Sequence, residues 1–373
     1  MRPDRRETAL LDHLRRTIRA APGGLISVHD YMATCVVRYY GGGSVLGCEG
    51  DFTTAPEVSQ VFGELIGLWC AVVWRQMGSP STFNLVELGP GRGTMMRDAL
   101  RAMRIVPGCL EAARVQLIEP GHSLRAAQAA TLATFRDDLG VHPSWPAGVA
   151  NIAPAPTIVL GNEYIDALPV HQLVRHGGDW LTRCVKLGLD GHLEFAAGAV
   201  PVADGIFNSA SQLSHRFSGQ AVDGDVLELR ELGGDLTALG GFVRHGLALL
   251  LIDYGHAPSS LGDTLQAVRR HRFEDPLCSP GEADLTAQVD FADLGHRLTG
   301  LGVKVETLAT QAAYLSSLGI TERASRLMAA NPAEANAIEM AVGRLLSPSG
   351  MGARFKVLGA RSPHLPPLPG FPT

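Results

Sequence analysis

Lysine is almost absent from this 373-residue chain: of 32 Lys and Arg residues, only Lys186, Lys304 and Lys356 are lysines. With 37 acidic residues the formal net charge is -5. No global basic field is left to hold a phosphate backbone or an anionic membrane, so no nucleic-acid partner is expected. No run of about 18 apolar residues occurs, which excludes a transmembrane helix and membrane insertion through one. The six cysteines, Cys35, Cys48, Cys70, Cys109, Cys184 and Cys278, form no CxxC pair. They read as reduced, mostly buried thiols and not as a disulfide framework. HExxH and similar spacings are missing and the 13 histidines are scattered, so no metal site is expected.

The N-terminus has no apolar h-region. Leu10, Leu11, Leu14 and Ile18 recur with helical period instead. Asp4, Glu7 and Asp12 argue against a transit peptide. Together with the arginine bias, this points to the bacterial cytoplasm ahead of the mitochondrial matrix.

What is present is a hydrophobic fraction of 46%, enough for a large core, with 43 glycines and 23 prolines for short connections. Residues 1–80 read as helices around a Gly-rich loop. One helix ends near Ala20 before Pro22-Gly23-Gly24, and a second starts near Ser27. A third opens at Pro56-Glu57 with Val58, Val61, Phe62, Leu65, Ile66 and Trp69 on one face. Strand and helix then alternate. Strands are predicted at Phe83–Leu88, Ala113–Glu119 and Thr157–Leu160, with helices at Met95–Met103 and Leu124–Leu132. This pattern implies an α/β class with a doubly wound parallel sheet. Trp180–Leu187, Asp190-Gly191 and His192–Phe195 read as an inserted hairpin. Alternation resumes with a helix at Asp235–His245 and a strand at Leu247–Tyr254. A helix at Phe291–Thr299, a strand at Val303–Leu308, a helix at Thr310–Leu318, a strand at Phe355–Leu358 and a surface Pro-rich tail complete the reading.

The sharpest local signal is Val86-Glu87-Leu88-Gly89-Pro90-Gly91-Arg92-Gly93, between a strand and a helix. Glycines let a ligand approach the backbone, and the helix start offers free N–H groups. A dinucleotide fingerprint would read G-x-G-x-x-G. Here Thr94 follows Gly93, and Glu87 is an acid that would repel a pyrophosphate but attract a sulfonium nucleoside with its ammonium group. A bare glycine-rich turn is the bland alternative. Glu119, at the next strand end, can accept hydrogen bonds from ribose hydroxyls, or be a simple strand-end acid. Adenine would lie further on, near Asp137, Asp138 or Trp145. Asn162-Glu163-Tyr164-Ile165-Asp166 ends the following strand, where open α/β sheets carry their chemistry. Asn162 or Asp166 could equally cap the next helix.

These segments resemble the MidA-like methyltransferases. The resemblance runs over Gly50–Glu64, Glu87–Gly93, Asn162–Val170, Ile252–Gly255, Pro280-Gly281 and Asp284–Phe291. Gln288 stands where many relatives carry His. The family implies a class I methyltransferase fold, Rossmann-like and doubly wound. It would carry an N-terminal helical extension and cofactor-covering loop over 1–80. A methyltransferase domain would occupy 81–373, with a β-hairpin and helical substrate insertion over about 171–230 and additions over about 256–300. The implied cofactor is S-adenosyl-L-methionine, held by Glu87, Gly89, Pro90, Gly91, Gly93 and Glu119, with Asp51, Phe52 and Thr53 folded over it and Asn162 beside it. The implied acceptor is an arginine of a protein, a respiratory complex I subunit in the mitochondrial relatives. Glu163, Asp166, Asn162 and Tyr164 are the catalytic candidates, with Asp51 and Glu57 second and Tyr164 or Tyr40 to stack on the guanidinium. A small-molecule acceptor, a cofactor-binding assembly chaperone without turnover and a homodimer stay open.

Overall fold

The computed structural model describes residues 5–41, 54–198, 217 and 219–372. The chain opens with α1 (Arg5–Ala20), a two-residue strand β1 (Ile26–Ser27), α2 (Val28–Gly41) and α3 (Ala55–Val58), followed by α4 (Gln60–Gln76). The predicted third helix is thus two. Ser59 is extended, and its hydroxyl accepts the Val61 N–H at 3.3 Å as an N-cap, which breaks the run.

The alternating region follows as β2 (Phe83–Leu88), α5 (Thr94–Met103), α6 (Cys109–Ala112), β3 (Ala113–Ile118), α7 (His122–Thr131), α8 (Ala133–Leu139) and β4 (Thr157–Asn162). The insertion contributes β5 (Val170–His176), β6 (Asp179–Leu187), β7 (Leu193–Gly198) and β8 (Val226–Arg230). After α9 (Gly233–Ala238) and a 3-10 segment comes β9 (Leu247–His256). Short strands β10 (Gln266–Arg269), β11 (Arg272–Glu274), β12 (Asp284–Thr286) and β13 (Val289–Asp290) lead to α10 (Phe291–Thr299). The end comprises β14 (Lys304–Val305), β15 (Ala309–Thr310), α11 (Gln311–Ser317), α12 (Ile320–Ala330), α13 (Ala335–Leu346) and β16 (Phe355–Arg361).

The central sheet has the order β14-β16-β9-β4-β2-β3. β2, β3, β4 and β9 are parallel, and β16 runs antiparallel beside β9. A third βα unit survives beyond β3 only as a parallel bridge between Gln116 and Ser144. Alternate residues face opposite layers, as a sheet covered on both sides requires. Phe83, Leu85, Ile158 and Leu250 pack with α4 and α5, while Val86, Leu88, Val159 and Leu251 pack with α10 and the 3-10 segment. Gly67 lets α4 approach α5 closely, since a Cβ there would overlap the Ala99 carbonyl. The chain moves from β2 outward to β3, then returns to β4 on the other side of β2. The carboxyl ends of β2 and β4 therefore form a topological switch point, where a crevice opens.

The insertion is more than a hairpin. β1, β5, β6, β7 and β8 form a second sheet, and β10, β11 and β12 a third. α1 and α2 pack against both through Leu14, Ile18, Tyr31, Met32, Val185 and Leu285. The predicted 303–308 strand is interrupted at Glu306, whose carboxylate turns to accept from Arg361 Nε at 2.7 Å. Helices α12 and α13 were not anticipated. The Pro-rich tail is not a loose surface segment: Leu365 and Leu368 are buried, and Trp69 Nε1 donates to the Pro369 carbonyl at 3.1 Å. The five described cysteines are free, and all but Cys278 are buried. No helix among the described residues is long and apolar enough to cross a membrane.

Candidate active site

Gly89, Gly91 and Gly93 all take positive φ, at 60°, 53° and 82°. The loop they form leaves β2 and caps the start of α5. A Cβ on Gly89 would stand 3.0 Å from Tyr164 Cδ2 and force the ring to shift. Gln128, fully buried on α7, braces the loop from below. Its Nε2 donates to the Gly91 carbonyl at 2.7 Å, and its Oε1 accepts from Trp145 Nε1 at 2.7 Å.

Glu87 ends β2 with 3% exposure, and its Oε2 has no hydrogen-bond partner. Burial pushes its carboxyl up to about 8. An orphaned buried carboxylate oxygen beside a glycine loop fits a cationic ligand. Glu119 follows β3. Its Oε1 accepts the Gly121 N–H at 2.7 Å, and burial raises its pKa.

The turn after β4 concentrates the remaining acids. Asn162 is buried, with Oδ1 unpartnered and Nδ2 donating to Glu163 Oε1 at 3.1 Å. Glu163 sits at φ 52°, a conformation costly for a side chain and often found where function demands it. Its Oε1 also accepts the Ala55 N–H at 3.2 Å. Burial, then the nearby Asp166, push its carboxyl up to about 8. Asp166 is 4% exposed, and its Oδ1 is unpartnered. Burial raises its pKa, opposed by a hydrogen bond with Tyr254 and by Arg230. Tyr164 leans back over Gly89, its hydroxyl donating to Asp235 Oδ2 at 3.4 Å.

Most of these groups line one cavity of about 460 Å3, a size within the roughly 300–1,000 Å3 usual for ligand pockets. Among the described residues its wall brings together Glu87, Gly89, Pro90, Gly91, Glu119, Asn162, Glu163, Tyr164 and Asp166, together with Tyr40 and Glu57. Gly93 sits behind, against Gln128. Asp51, Phe52 and Thr53 lie outside the described residues. The adenine candidates are not on the wall: Asp137 and Asp138 are exposed, Asp137 pairing with Arg136, and Trp145 is committed to Gln128. Among the described residues the wall carries seven acids (Glu57, Glu87, Glu119, Glu163, Asp166, Asp235, Asp284) against one base, Arg92. That balance favours cationic occupants.

Sequence reasoning assigned no role to Asp235, Tyr254, Asp284 and Thr286, which also line the cavity. Tyr40 Oη donates to Asp284 Oδ1 at 3.1 Å. Tyr254, Asp284 and Thr286 fell within segments carrying the family resemblance, but those segments are distant in the chain. Tyr254 reaches the switch point on β9 of the central sheet, and the third sheet brings Asp284 and Thr286 there on β12. Arg230, half-buried beneath the turn, donates to the carbonyls of Asp166 (3.3 Å), Leu168 (3.0 Å), Ala287 (3.0 Å) and Gln288 (3.2 Å). It ties the Asp166 turn to the segment that follows β12.

Comparison with known proteins matches residues 65–308 to a family model of S-adenosyl-L-methionine-dependent methyltransferases. The mitochondrial protein arginine methyltransferase NDUFAF7 homolog of Drosophila melanogaster is 32% identical over 381 residues, 93% of this chain and 85% of that protein. The NDUFAF7 protein arginine methyltransferase of Danio rerio is 32% identical over 372 residues, 93% of this chain and 86% of that one. A Burkholderia thailandensis protein, crystallised with S-adenosyl-homocysteine bound, superposes with a TM-score of 0.84 at 25% identity, covering 100% of this chain and 99% of that one. The curated relatives are mitochondrial by name, which overturns the bacterial cytoplasmic location expected above. Arginine bias and an acidic N-terminus report composition and contain no address.

Proposed function

The chain belongs to the family of S-adenosyl-L-methionine-dependent methyltransferases, and on that premise we propose that its acceptor is an arginine of a protein substrate. The enzyme uses S-adenosyl-L-methionine, which when bound supplies a methyl group on a cationic sulfur. The observation that carries the acceptor reading is the pairing of Glu163 and Asp166 on the wall that also holds Glu87 and the glycine loop. The names of the relatives, protein arginine methyltransferases, support the same reading.

An arginine guanidinium is a poor nucleophile because its charge is delocalised and its pKa exceeds about 12. Two carboxylates can hold it in plane and localise that charge on one nitrogen. One of them can then take the proton that the methylated nitrogen must lose. Glu163, whose carboxyl burial pushes up to about 8, is in its ionised form the group suited to take that proton. Asp166, facing the same space, orients the guanidinium. Asn162 fixes the Glu163 carboxylate, and Tyr164 packs against the glycine loop instead of stacking on the acceptor. In this reading α2 and α3 help to cover the cavity, contributing Tyr40 and Glu57 to its wall.

The test is incubation of the enzyme with methyl-labelled cofactor and arginine-containing peptides or host lysate, followed by mass spectrometry. Label on arginine side chains is the expected result. Label only on a metabolite would favour a small-molecule acceptor, and no transfer would favour an assembly chaperone.

A further inference from the structure

We propose that the tip of the β10–β11 hairpin, Arg270 to Phe273, is a docking surface for an acidic segment of the polypeptide substrate, a few residues from the arginine that is methylated. The proposal rests on the arginine-acceptor reading above.

Charge sets the tip apart. Residues 269–272 read Arg-Arg-His-Arg in a chain whose net charge is -5 and whose cavity wall is acidic. Arg269 is committed inward, to Ser279 Oγ at 3.2 Å and Glu282 at 3.6 Å. Arg270, His271, Arg272 and Phe273 are exposed, and Phe273 is 74% accessible. Glu274 and Asp275 follow, at the base of the hairpin. The turn itself is unusual: Arg270 and His271 both hold positive φ, at 51° and 62°. Asn-Gly is the pair that such a turn favours. Two bulky basic residues are kept where smaller ones fold more easily, and such strain persists mostly where a function holds it.

Register connects the tip to the active site. β10 pairs with β12 so that Gln266 faces Thr286 and Val268 faces Asp284. Asp284 and Thr286 line the cavity. Arg270 therefore lies two residues beyond the position opposite Asp284. With about 3.3 Å rise per residue and nearly 5 Å between strands, its Cα is about 8 Å from that of Asp284. An extended polypeptide covers this distance, plus the reach of the arginine side chain, in roughly three to five residues.

The occupant follows from complementarity. An acid-lined cavity accepts a cationic side chain and repels an acidic neighbour, so an acidic flank needs a basic counterpart outside the cavity. The tip supplies one, with Phe273 adding apolar contact. A nucleic acid fits poorly, because its phosphates would face the acids of the wall.

The test compares the wild-type enzyme with R270E/R272E and R270K/R272K on three arginine peptides, whose flanks three to five residues away are acidic, neutral or basic. Expected is a KM for the acidic peptide about tenfold below that of the neutral one in wild type. R270E/R272E should abolish that preference, while kcat, S-adenosylhomocysteine affinity and melting temperature stay unchanged. R270K/R272K should retain the preference, and added salt should weaken it. Arginine methylation with equal KM for all three peptides would overturn the docking surface alone. Competition at the tip by an RNA oligonucleotide, with no peptide preference, would also overturn it. If no peptide is methylated at arginine, the acceptor reading falls and the docking surface with it.

Discussion

The Asp253 carboxylate at the end of β9 accepts the backbone N–H of Asp166 at 3.1 Å. The same oxygen accepts from Ile165 N at 2.9 Å, and the other oxygen from Tyr254 N at 2.9 Å. Asp253 is 1% exposed and does not line the cavity, so it acts by fixing the turn that carries Glu163 and Asp166. Asp253→Asn places an NH2 group against at least one of these donors. Leaving one of these buried N–H groups without its acceptor costs about 1–3 kcal/mol, so kcat should fall roughly 10- to 100-fold. S-adenosylhomocysteine affinity should stay within about threefold by calorimetry, since the glycine loop is untouched. An equal loss of affinity and turnover would show that Asp253 only maintains the fold.

Glu163→Gln keeps an oxygen to accept from Ala55 and Asn162 but removes the base. A loss of at least 100-fold in kcat is expected, within the range for general bases. Wild-type kcat/KM for the peptide should rise with pH, because a carboxyl held up to about 8 before the cationic acceptor arrives must lose its proton before it can accept another. Steady-state rates from pH 6 to 9 test both statements. Full turnover in the variant would remove Glu163 from the chemistry.

The glycine loop carries a testable contrast. Gly89→Ala faces both the positive φ and the Tyr164 ring, whereas Gly78→Ala faces positive φ with nothing within 4 Å. Left-handed alanine costs roughly 1–2 kcal/mol in either place, so melting temperatures should fall in both, and further in Gly89→Ala, where the Tyr164 ring must also give way. Only Gly89→Ala should weaken S-adenosylhomocysteine binding, by about tenfold or more. Equal affinities in the two variants would mean that the loop does not touch the ligand.

The βα alternation and the glycine loop were legible because each depends on local pattern. Phe83–Leu88 is a short apolar run between turn signals, and its strand has those bounds. Glu87 and Glu163 were legible as polar residues at apolar strand ends. Asp284 and Arg230 were not. Asp284 looks like any acid in a short segment until β10 and β12 pair, and Arg230 looks like a surface cation until its guanidinium reaches four backbone carbonyls. Ser59 was missed as a helix break because Val58, Val61 and Phe62 keep a helical period straight through it. The surface tail was misread because its burial depends on Trp69 and Gln76, far upstream.

Glu87 makes cofactor affinity depend on pH. In the free protein its carboxyl stays protonated up to about 8, whereas in the unfolded chain it ionises near the ordinary glutamate value of 4.5. Between those values the folded state holds the extra proton, so Glu87 makes stability fall as pH rises, by up to about 1.4 kcal/mol per unit. A cation brought against the orphaned oxygen reverses the preference and expels the proton. S-adenosylhomocysteine, which keeps its ammonium group, should therefore bind more tightly as pH rises from 6 to 8, by up to about tenfold per unit. Calorimetry in buffers of different ionisation enthalpy should register a proton released on binding. Glu87→Gln should bind weakly at every pH and release none. A wild-type affinity that does not change across this range would mean that Glu87 is already ionised or does not meet the ligand.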